Sequence, residues 1–205
     1  MEVIDLFPTA LAKVKLASLN IDAALQHIKG YDYIYSPGDG GYTQQQSVLS
    51  DDFFTDVRAE IEEHCLAFSK MHGHCIDGVS VCNSWVNAVN PGQQVHGHIH
   101  TNSYISGCFY LTEGAPIEFY DKDINDQIFS FMPRRVSDPN NFRTWSSAYF
   151  NVEPGDLLLF PSRLYHSVRQ HTGDYVRMSL AFNVVPRGGF GEDGRRMNLV
   201  ALSNL

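Results

Sequence analysis

From Val79 onward the sequence alternates between apolar and polar residues in short runs, separated by turn signals such as Pro-Gly and Glu-Gly. A period of two is typical of strands, because successive side chains of a strand point to opposite faces of a sheet. The predicted strands lie near 79–89, 94–100, 104–112, 116–120, 127–131, 147–152, 156–160, 164–169 and 175–185. Many short strands without intervening helices predict an all-β core, either a jelly roll or a related barrel.

Helical signals are confined to the first 78 residues. A short helix is predicted from about Asp22 to Lys29, and a longer one is predicted to begin after Ser50, which we expect to cap it. The longer helix carries apolar residues at intervals of three and four, and it ends near His72. These residues are Phe54, Val57, Ile61, Cys65 and Phe68. Such a stripe must pack against another layer, so we expect both helices to support the outside of the barrel.

The length of 205 residues predicts one domain spanning 1–205. Within it we expect an N-terminal helical support at 1–78, the β core at 79–185 and an irregular, glycine-rich tail at 186–205. The formal charge of −8 argues against nucleic-acid binding, and no segment has the roughly 18 consecutive apolar residues that would span a membrane. The four cysteines show no C-x-x-C spacing, which predicts reduced, mostly buried thiols and a cytoplasmic protein.

A cluster of histidines is the strongest candidate for chemistry. His96, His98 and His100 stand at alternate positions, and His166 follows a later predicted strand. Residues two apart on a strand share a face and can converge on one ion, whereas residues four apart are roughly 13 Å from each other. The spacing therefore predicts a metal site formed by His96 with His98 or by His98 with His100. Both pairs contain His98.

The last predicted strand has one apolar face and one polar face. Met178, Leu180, Phe182 and Val184 occupy the first face, and Arg177, Ser179 and Asn183 occupy the second. If the apolar face meets the helices, Arg177 points into the barrel, where a guanidinium needs an anionic partner. A small carboxylate would satisfy it through forked hydrogen bonds.

A second strand has the same polar character. Asn83, Trp85 and Asn87 share one face of the first core strand, and Tyr110 ends another. Amides next to an indole are typical of a cavity for a small polar ligand. Hydrogen bonds from these amides to neighbouring backbone groups would explain the pattern equally well.

Several motifs in one order resemble the superfamily of 2-oxoglutarate- and Fe(II)-dependent dioxygenases, and in particular its small oxygenases related to prolyl hydroxylases. The motifs are His98-x-His100, Ser106-Gly107-x-x-Tyr110-Leu111, Phe160-Pro161-Ser162-x-x-x-His166-Ser-Val, and Arg177-x-Ser179 with Phe182-Asn183. An ordered set of motifs is more specific than any single one. The resemblance spans about residues 84–185.

The resemblance implies a double-stranded β-helix in which His98, His100 and His166 are the iron ligands and the catalytic centre. His96 then becomes a rim or outer-sphere residue. Cosubstrate binding is implied for Arg177, with Ser179, Tyr110, Asn83, Asn87 and Asn183 as further candidates. The implied cosubstrates are 2-oxoglutarate and O2, and the implied reaction hydroxylates a substrate while 2-oxoglutarate is decarboxylated to succinate.

The sequence departs from the usual pattern of two histidines and one carboxylate, because His100 stands at the third ligand position. Asp121 is the alternative carboxylate. Two other functions remain open: a cupin-like three-histidine enzyme with iron, nickel or zinc and no 2-oxoglutarate, and an inactive binding module on the same barrel. The substrate class (peptide, nucleotide or metabolite) and the oligomeric state are also open. We expect recognition at 121–147 and in the tail, because loops at a barrel mouth set specificity.

Overall fold

The computed structural model of the chain describes residues 1–5, 8–121, 138, 140–190 and 197–198. Its α-helices are α1 (Ile21–His27) and α2 (Thr55–Met71). Its strands are β1 (Ala12–Lys15), β2 (Tyr33–Ile34), β3 (Gly41–Thr43), β4 (Ile76–Val89), β5 (Val95–His98), β6 (Ile105–Tyr110), β7 (Ile117–Tyr120), β8 (Ser147–Phe150), β9 (Asp156–Pro161), β10 (His166–Val168), β11 (Arg177–Phe190) and β12 (Met197–Asn198). The helices of this described part are too short or too polar to cross a lipid bilayer.

The strands form two antiparallel sheets. In the larger sheet the order is β1-β9-β6-β11-β4-β3-β2, with β12 paired to β11. The smaller sheet has the order β5-β10-β7-β8. Among the described strands, six of the ten neighbouring pairs join strands that are not consecutive in sequence, and such crossovers are typical of a jelly roll. The predicted all-β core with two supporting helices is confirmed.

The outer face of the larger sheet packs against α2. All five predicted stripe residues of the helix region are buried, and they join the apolar side chains of β11 in one core. The β11 members of this core are Met178, Leu180, Phe182 and Val184. Because alternate residues of β11 face the helix, Arg177, Ser179 and Asn183 point between the two sheets, as predicted. Burial of so many apolar side chains is the main stabilising contribution to the fold.

The start of α2 differs from the prediction. A short 3-10 helix (Asp52–Phe54) precedes the α-helix, and the Oδ1 atom of Asp51 accepts a hydrogen bond from the amide of Phe53 at 2.9 Å. The predicted cap, Ser50, lies one residue too early, and it instead accepts a hydrogen bond from Arg58. The capping role therefore belongs to Asp51, whose carboxylate also binds His27 and Tyr31.

Three strands of the N-terminal region were not predicted. Strands β1, β2 and β3 extend the larger sheet at its two edges, so residues 1–78 contribute strands as well as helices. Strand β11 continues to Phe190, five residues past its predicted end, and β12 pairs with it. The predicted strand 127–131 lies outside the described residues.

The cysteines agree with the prediction only in part. All four are free, as expected for reduced thiols. Cys65 and Cys108 are buried, but Cys75 and Cys82 are exposed, so "mostly buried" is wrong. Cys82 is exposed because a register shift between β4 and β11 leaves it without a partner residue, as in a β-bulge.

Candidate metal centre

Three histidines converge between the two sheets. One nitrogen from each of His98, His100 and His166 lies within 4.8 Å of the other two. His98 ends β5, His166 begins β10 directly opposite it, and His100 follows β5 by two residues. A metal ion about 2.1 Å from each nitrogen needs them about 3 Å apart, which small ring rotations would achieve.

A β-bulge turns His98 inward and His96 outward. On β10 one residue lies between His166 and Val168, but on β5 two residues lie between their partners, His98 and Val95. The extra residue rotates the strand, so that Val95 and His98 both face inward. His96 is turned outward, where its ring lies 3.3 Å from the carboxylate of Asp39. Of the two predicted pairs, only His98 with His100 is present.

Backbone hydrogen bonds orient two of the three rings. The Nδ1 atom of His98 lies 2.9 Å from the carbonyl of His96, and that of His166 lies 2.8 Å from the carbonyl of Leu164. A carbonyl only accepts, so each Nδ1 carries the proton and each Nε2 keeps its lone pair for a metal. His96 thus supports the centre through its main chain, which agrees with its predicted outer-sphere role.

Gly97 allows β5 and β10 to approach each other. A Cβ atom at this position would collide with the ring of Tyr165, the residue before His166. The absence of a side chain therefore lets Tyr165 cover the bulge from outside while His166 meets His98 inside.

His100 lies outside any regular strand and is held by other contacts. Its amide donates a hydrogen bond of 2.9 Å to the carbonyl of Ser162. Its ring stacks parallel to that of His166 at 5.2 Å between centroids, and it also stacks on Trp85 at 5.9 Å between centroids. Asp121 is not part of the metal-capable group of described residues and lines a different pocket.

Burial and mutual proximity keep the imidazoles of His100 and His166 neutral. Burial, and then the neighbouring His98, lower the pKa of His100 to about 4. Burial lowers the pKa of His166 to about 3, despite its hydrogen bond to Leu164. Neutral imidazole is the form that binds metal, so the centre is ready for an ion at neutral pH.

The lowered pKa values predict that the metal-free protein loses stability in mild acid. Below pH 6.5 His100 and His166 bind protons in the unfolded chain but stay neutral in the folded protein. The free energy of unfolding therefore falls as the pH drops toward 4. At pH 5 we expect a loss of about 2 kcal/mol from His166, and less from the partly exposed His100. Urea denaturation in the presence of a chelator at pH 7.5 and pH 5 measures it. The double variant His100→Gln/His166→Gln should show a smaller pH dependence, and an equal dependence would contradict the expectation.

A small cavity connects the histidines with Arg177. It measures about 70 Å³, and its walls include His98, His100, His166, Tyr110 and Arg177. At roughly 30 Å³ per water molecule in the liquid, this is space for about two waters. The cavity therefore has the size for an ion and a few atoms of a ligand, and not for a macromolecule.

Arg177 is buried in this cavity with one nitrogen unsatisfied. Its Nε donates to the carbonyl of Ala115 at 2.9 Å, and its Nη1 donates to the hydroxyl of Ser179 at 3.3 Å. Its Nη2 has no partner, and neither does the hydroxyl of Tyr110, whose ring lies 5.2 Å from the guanidinium carbon. Buried polar groups without partners are costly, so these two atoms indicate where a polar ligand binds.

The other predicted cosubstrate residues divide into two pairs. Ser179 and Asn87 line the cavity, where Asn87 accepts a hydrogen bond from the indole of Trp85 at 3.0 Å. Asn83 and Asn183 are not among the lining residues. Asn183 accepts hydrogen bonds from Ser103 and Ser106 instead. The physical reason is distance along the strand, because six residues of β11 separate Asn183 from Arg177, roughly 20 Å.

Cys108 was not predicted as a site residue from the sequence. It lies between Ser106 and Tyr110 on β6 and lines the cavity. Burial raises the pKa of its thiol, so it is an unreactive wall residue. The alternation Ser106, Cys108, Tyr110 was the available signal.

The sequence match to a family of proteins covers this centre. The family described as "Putative 2OG-Fe(II) oxygenase" matches residues 83–183, which contain all three histidines and Arg177. Residues 83–183 belong to the 2OG-Fe(II) oxygenase family. The chain is therefore a 2OG-Fe(II) oxygenase, an oxidoreductase that uses Fe(II), 2-oxoglutarate and O2. No curated protein matches the chain in sequence.

Solved structures with the same fold are remote in sequence from this oxygenase. The carbocyclase SnoK from nogalamycin biosynthesis has a TM-score of 0.62 at 12% identity, covering 96% of this chain and 87% of SnoK. A Pseudomonas putida prolyl-4-hydroxylase has a TM-score of 0.57 at 15% identity, with 88% and 94% covered. HygX from Streptomyces hygroscopicus, crystallised with nickel, 2-oxoglutarate and hygromycin B, has a TM-score of 0.56 at 12% identity, with 87% and 83% covered. These likenesses confirm the jelly-roll fold of the oxygenase.

Proposed function

We propose that His98, His100 and His166 bind the Fe(II) ion of this oxygenase. The proximity of their nitrogens, the carbonyl partners of two Nδ1 atoms and the neutral state of the buried rings support this assignment. Three neutral ligands leave the charge of the dication uncompensated by protein, so an anionic cosubstrate would supply the missing negative charge.

Arg177 and Tyr110 are proposed to bind the carboxylate of 2-oxoglutarate that lies far from the metal. The observation that carries the proposal is that Nη2 of Arg177 and the hydroxyl of Tyr110 are buried without partners in the cavity of the three histidines. Both are donors. Burial raises the pKa of Tyr110 well above its usual value, so its hydroxyl keeps its proton. A carboxylate would accept from both donors.

The protein's contribution to the reaction is position and exclusion of water. Ala115 and Ser179 hold two edges of the Arg177 guanidinium and leave the third for the cosubstrate. Gly114 makes room for this arrangement, because a Cβ atom there would lie 3.1 Å from Cγ of Arg177. When bound, Fe(II) would supply the redox chemistry by which O2 and 2-oxoglutarate yield succinate, CO2 and a hydroxylated substrate.

Anaerobic titration tests this function. Fe(II)-loaded protein should bind 2-oxoglutarate with a new visible charge-transfer absorption, and admission of air should convert 2-oxoglutarate slowly to succinate. A three-histidine metalloenzyme of another class would bind Fe(II) and show neither signal. An inactive binding module would show the absorption without succinate.

Exchange of His100 for aspartate should strengthen Fe(II) binding. A carboxylate beside the dication adds an attraction that a neutral imidazole lacks, and we expect the dissociation constant of Fe(II) to fall about tenfold. The control is His100→Asn, which has the shape of aspartate without its charge and should weaken binding. Anaerobic competition with a chromophoric chelator measures both. Unchanged Fe(II) affinity in both variants would show that His100 is not a metal ligand, and equal weakening by Asp and Asn would contradict the expected gain from the carboxylate charge.

A further inference from the structure

A large pocket with aromatic walls lies at the end of the smaller sheet that carries the metal centre. We call it the aromatic pocket. It measures about 860 Å³, and its aromatic lining residues are Phe119, Tyr120, Phe142, Trp145, Phe150 and Tyr165. This volume is in the range of ligand sites, and it is far larger than the cavity of the histidines.

The aromatic pocket adjoins the proposed iron ligands. The ring of Phe119 lies 5.9 Å from that of His166, and Phe119 is the partner of His166 across β7 and β10. Leu164, whose carbonyl binds His166, and Ile99, between His98 and His100, also line the pocket. A molecule in the pocket would therefore lie beside the metal centre rather than at a remote surface.

The outer wall of the aromatic pocket is an ordered structure of its own. The indole nitrogen of Trp145 donates to the carbonyl of Asp138 at 3.0 Å, which satisfies its polar atom and leaves the ring for a ligand. Arg143 forms a forked ion pair with Asp5 at 2.6 and 2.7 Å and ties the wall to the N-terminal segment. Phe142 and Trp145 are nevertheless 56% and 37% exposed. Apolar rings held open in this way mark a binding surface.

A free guanidinium stands at the edge of this pocket. Arg163 lines it and is exposed, and among the described residues none forms a hydrogen bond or ion pair with its guanidinium. Arg143, in the same wall, is already neutralised by Asp5. The acidic lining residue, Asp121, has an interaction of its own and is not a free anion. Among the described lining residues, Arg163 is therefore the charged group that is available to a ligand.

We propose that the aromatic pocket receives the prime substrate, and that this substrate is an organic anion with an aromatic or alicyclic body. Flat rings would stack on Trp145 and Phe142, and the anionic group would pair with Arg163. The statement that the bound molecule is oxidised rests on the proposed function. The binding chemistry of the pocket stands on its own residues.

Two fluorescent probes of nearly equal shape and different charge test the pocket. Anilinonaphthalene sulfonate is anionic and N-phenylnaphthylamine is neutral. The chain has two tryptophans, so Trp85→Phe leaves Trp145 as the single donor for energy transfer to either probe. We expect both probes to quench Trp145, and Ala148→Phe, which fills the pocket opposite Phe119, to abolish both effects.

Charge selectivity is tested by Arg163→Gln in the same background. The dissociation constant of the sulfonate should rise about fivefold to twentyfold, and that of the neutral probe should change less than about twofold. The matched control is Arg58→Gln, because Arg58 lies on α2 and pairs with Glu62 away from the pocket. Equal losses for both probes, or the same loss in the Arg58 control, would overturn the proposal. So would binding that leaves Trp145 unquenched. Thermal melting confirms that each variant is folded.

A second measurement separates this inference from the proposed function. Aromatic carboxylates and their carboxamides are added to the Fe(II) holoenzyme, and succinate formation from 2-oxoglutarate is measured. The acids should stimulate it and the amides should not, and Arg163→Gln should remove the difference. If no succinate forms while the probe results hold, the oxygenase assignment of the site fails and the pocket stands. If amides stimulate as well as acids, the anionic substrate is wrong.

Discussion

Replacement of Arg177 by methionine is expected to raise the dissociation constant of 2-oxoglutarate by at least about 100-fold while Fe(II) binding persists. Methionine retains the apolar stem of the side chain and removes the donors that face the cavity. The carboxylate would then be buried against neutral hydroxyl groups without a positive charge. Anaerobic titration of Fe(II)-loaded protein with 2-oxoglutarate measures the change, and a chelator competition shows that the metal site survives.

Ser179→Ala is the matched control for Arg177. It removes one neutral hydroxyl that supports the guanidinium and leaves the guanidinium itself in place, so we expect a loss of no more than about tenfold. If Arg177→Met and Ser179→Ala weakened 2-oxoglutarate binding equally, or if neither did, the cosubstrate would not contact Arg177. Melting temperatures are needed with both, because Arg177 also satisfies the carbonyl of Ala115.

Replacement of His98 by alanine should abolish Fe(II) binding at micromolar concentration. Loss of an outer-sphere partner typically costs 10–100-fold in metal affinity, so loss of one of three protein ligands should cost more than about 100-fold. His96→Ala is the control, because His96 belongs to the same strand, is exposed and supports the centre only through its carbonyl. Equilibrium dialysis of Fe(II), or of Ni(II) under air, measures both variants.

The two histidine variants discriminate sharply between the alternatives that the spacing left open. A loss of metal in His96→Ala equal to that in His98→Ala would mean that the ligands are the other pair. Retention of metal in His98→Ala would mean that the cluster is not the iron site.

Several elements of the fold were predictable because their signals are local. The apolar stripe of α2 and the alternation along β11 each follow from a single period in the sequence, and both were confirmed. Strands β1, β2 and β3 have two to four residues each and exist through their partners in the larger sheet. Their own sequence carries too few residues for a period to be visible. The cap at Asp51 was misplaced by one residue, because Ser50 and Asp51 are both good capping residues.

The candidate site likewise has features that local sequence signals predict and features that depend on distant contacts. Alternation placed Arg177 and Ser179 inside the barrel, and the motif order placed His166 near His98. Alternation also placed Asn183 in the cosubstrate set, and Asn183 lies outside the cavity lining, because a shared face does not imply a shared cavity along roughly 20 Å of strand. The choice of His100 rather than His96 as the partner of His98 needed the bulge opposite β10, which depends on the pairing of two strands 68 residues apart in sequence (166 minus 98).

The sequence by itself determined the all-β class, the helical support, the inward face of β11 and the family, because periodicity and ordered motifs are properties of the chain. Tertiary structure alone decided which histidines converge, which donors of Arg177 and Tyr110 remain unsatisfied, and that an aromatic pocket with a free Arg163 adjoins them. Each of these depends on contacts between residues distant in sequence. Whether a donor lacks a partner, and which way a ring points at a bulge, is determined by neighbours in space. A local sequence pattern contains no information on those neighbours.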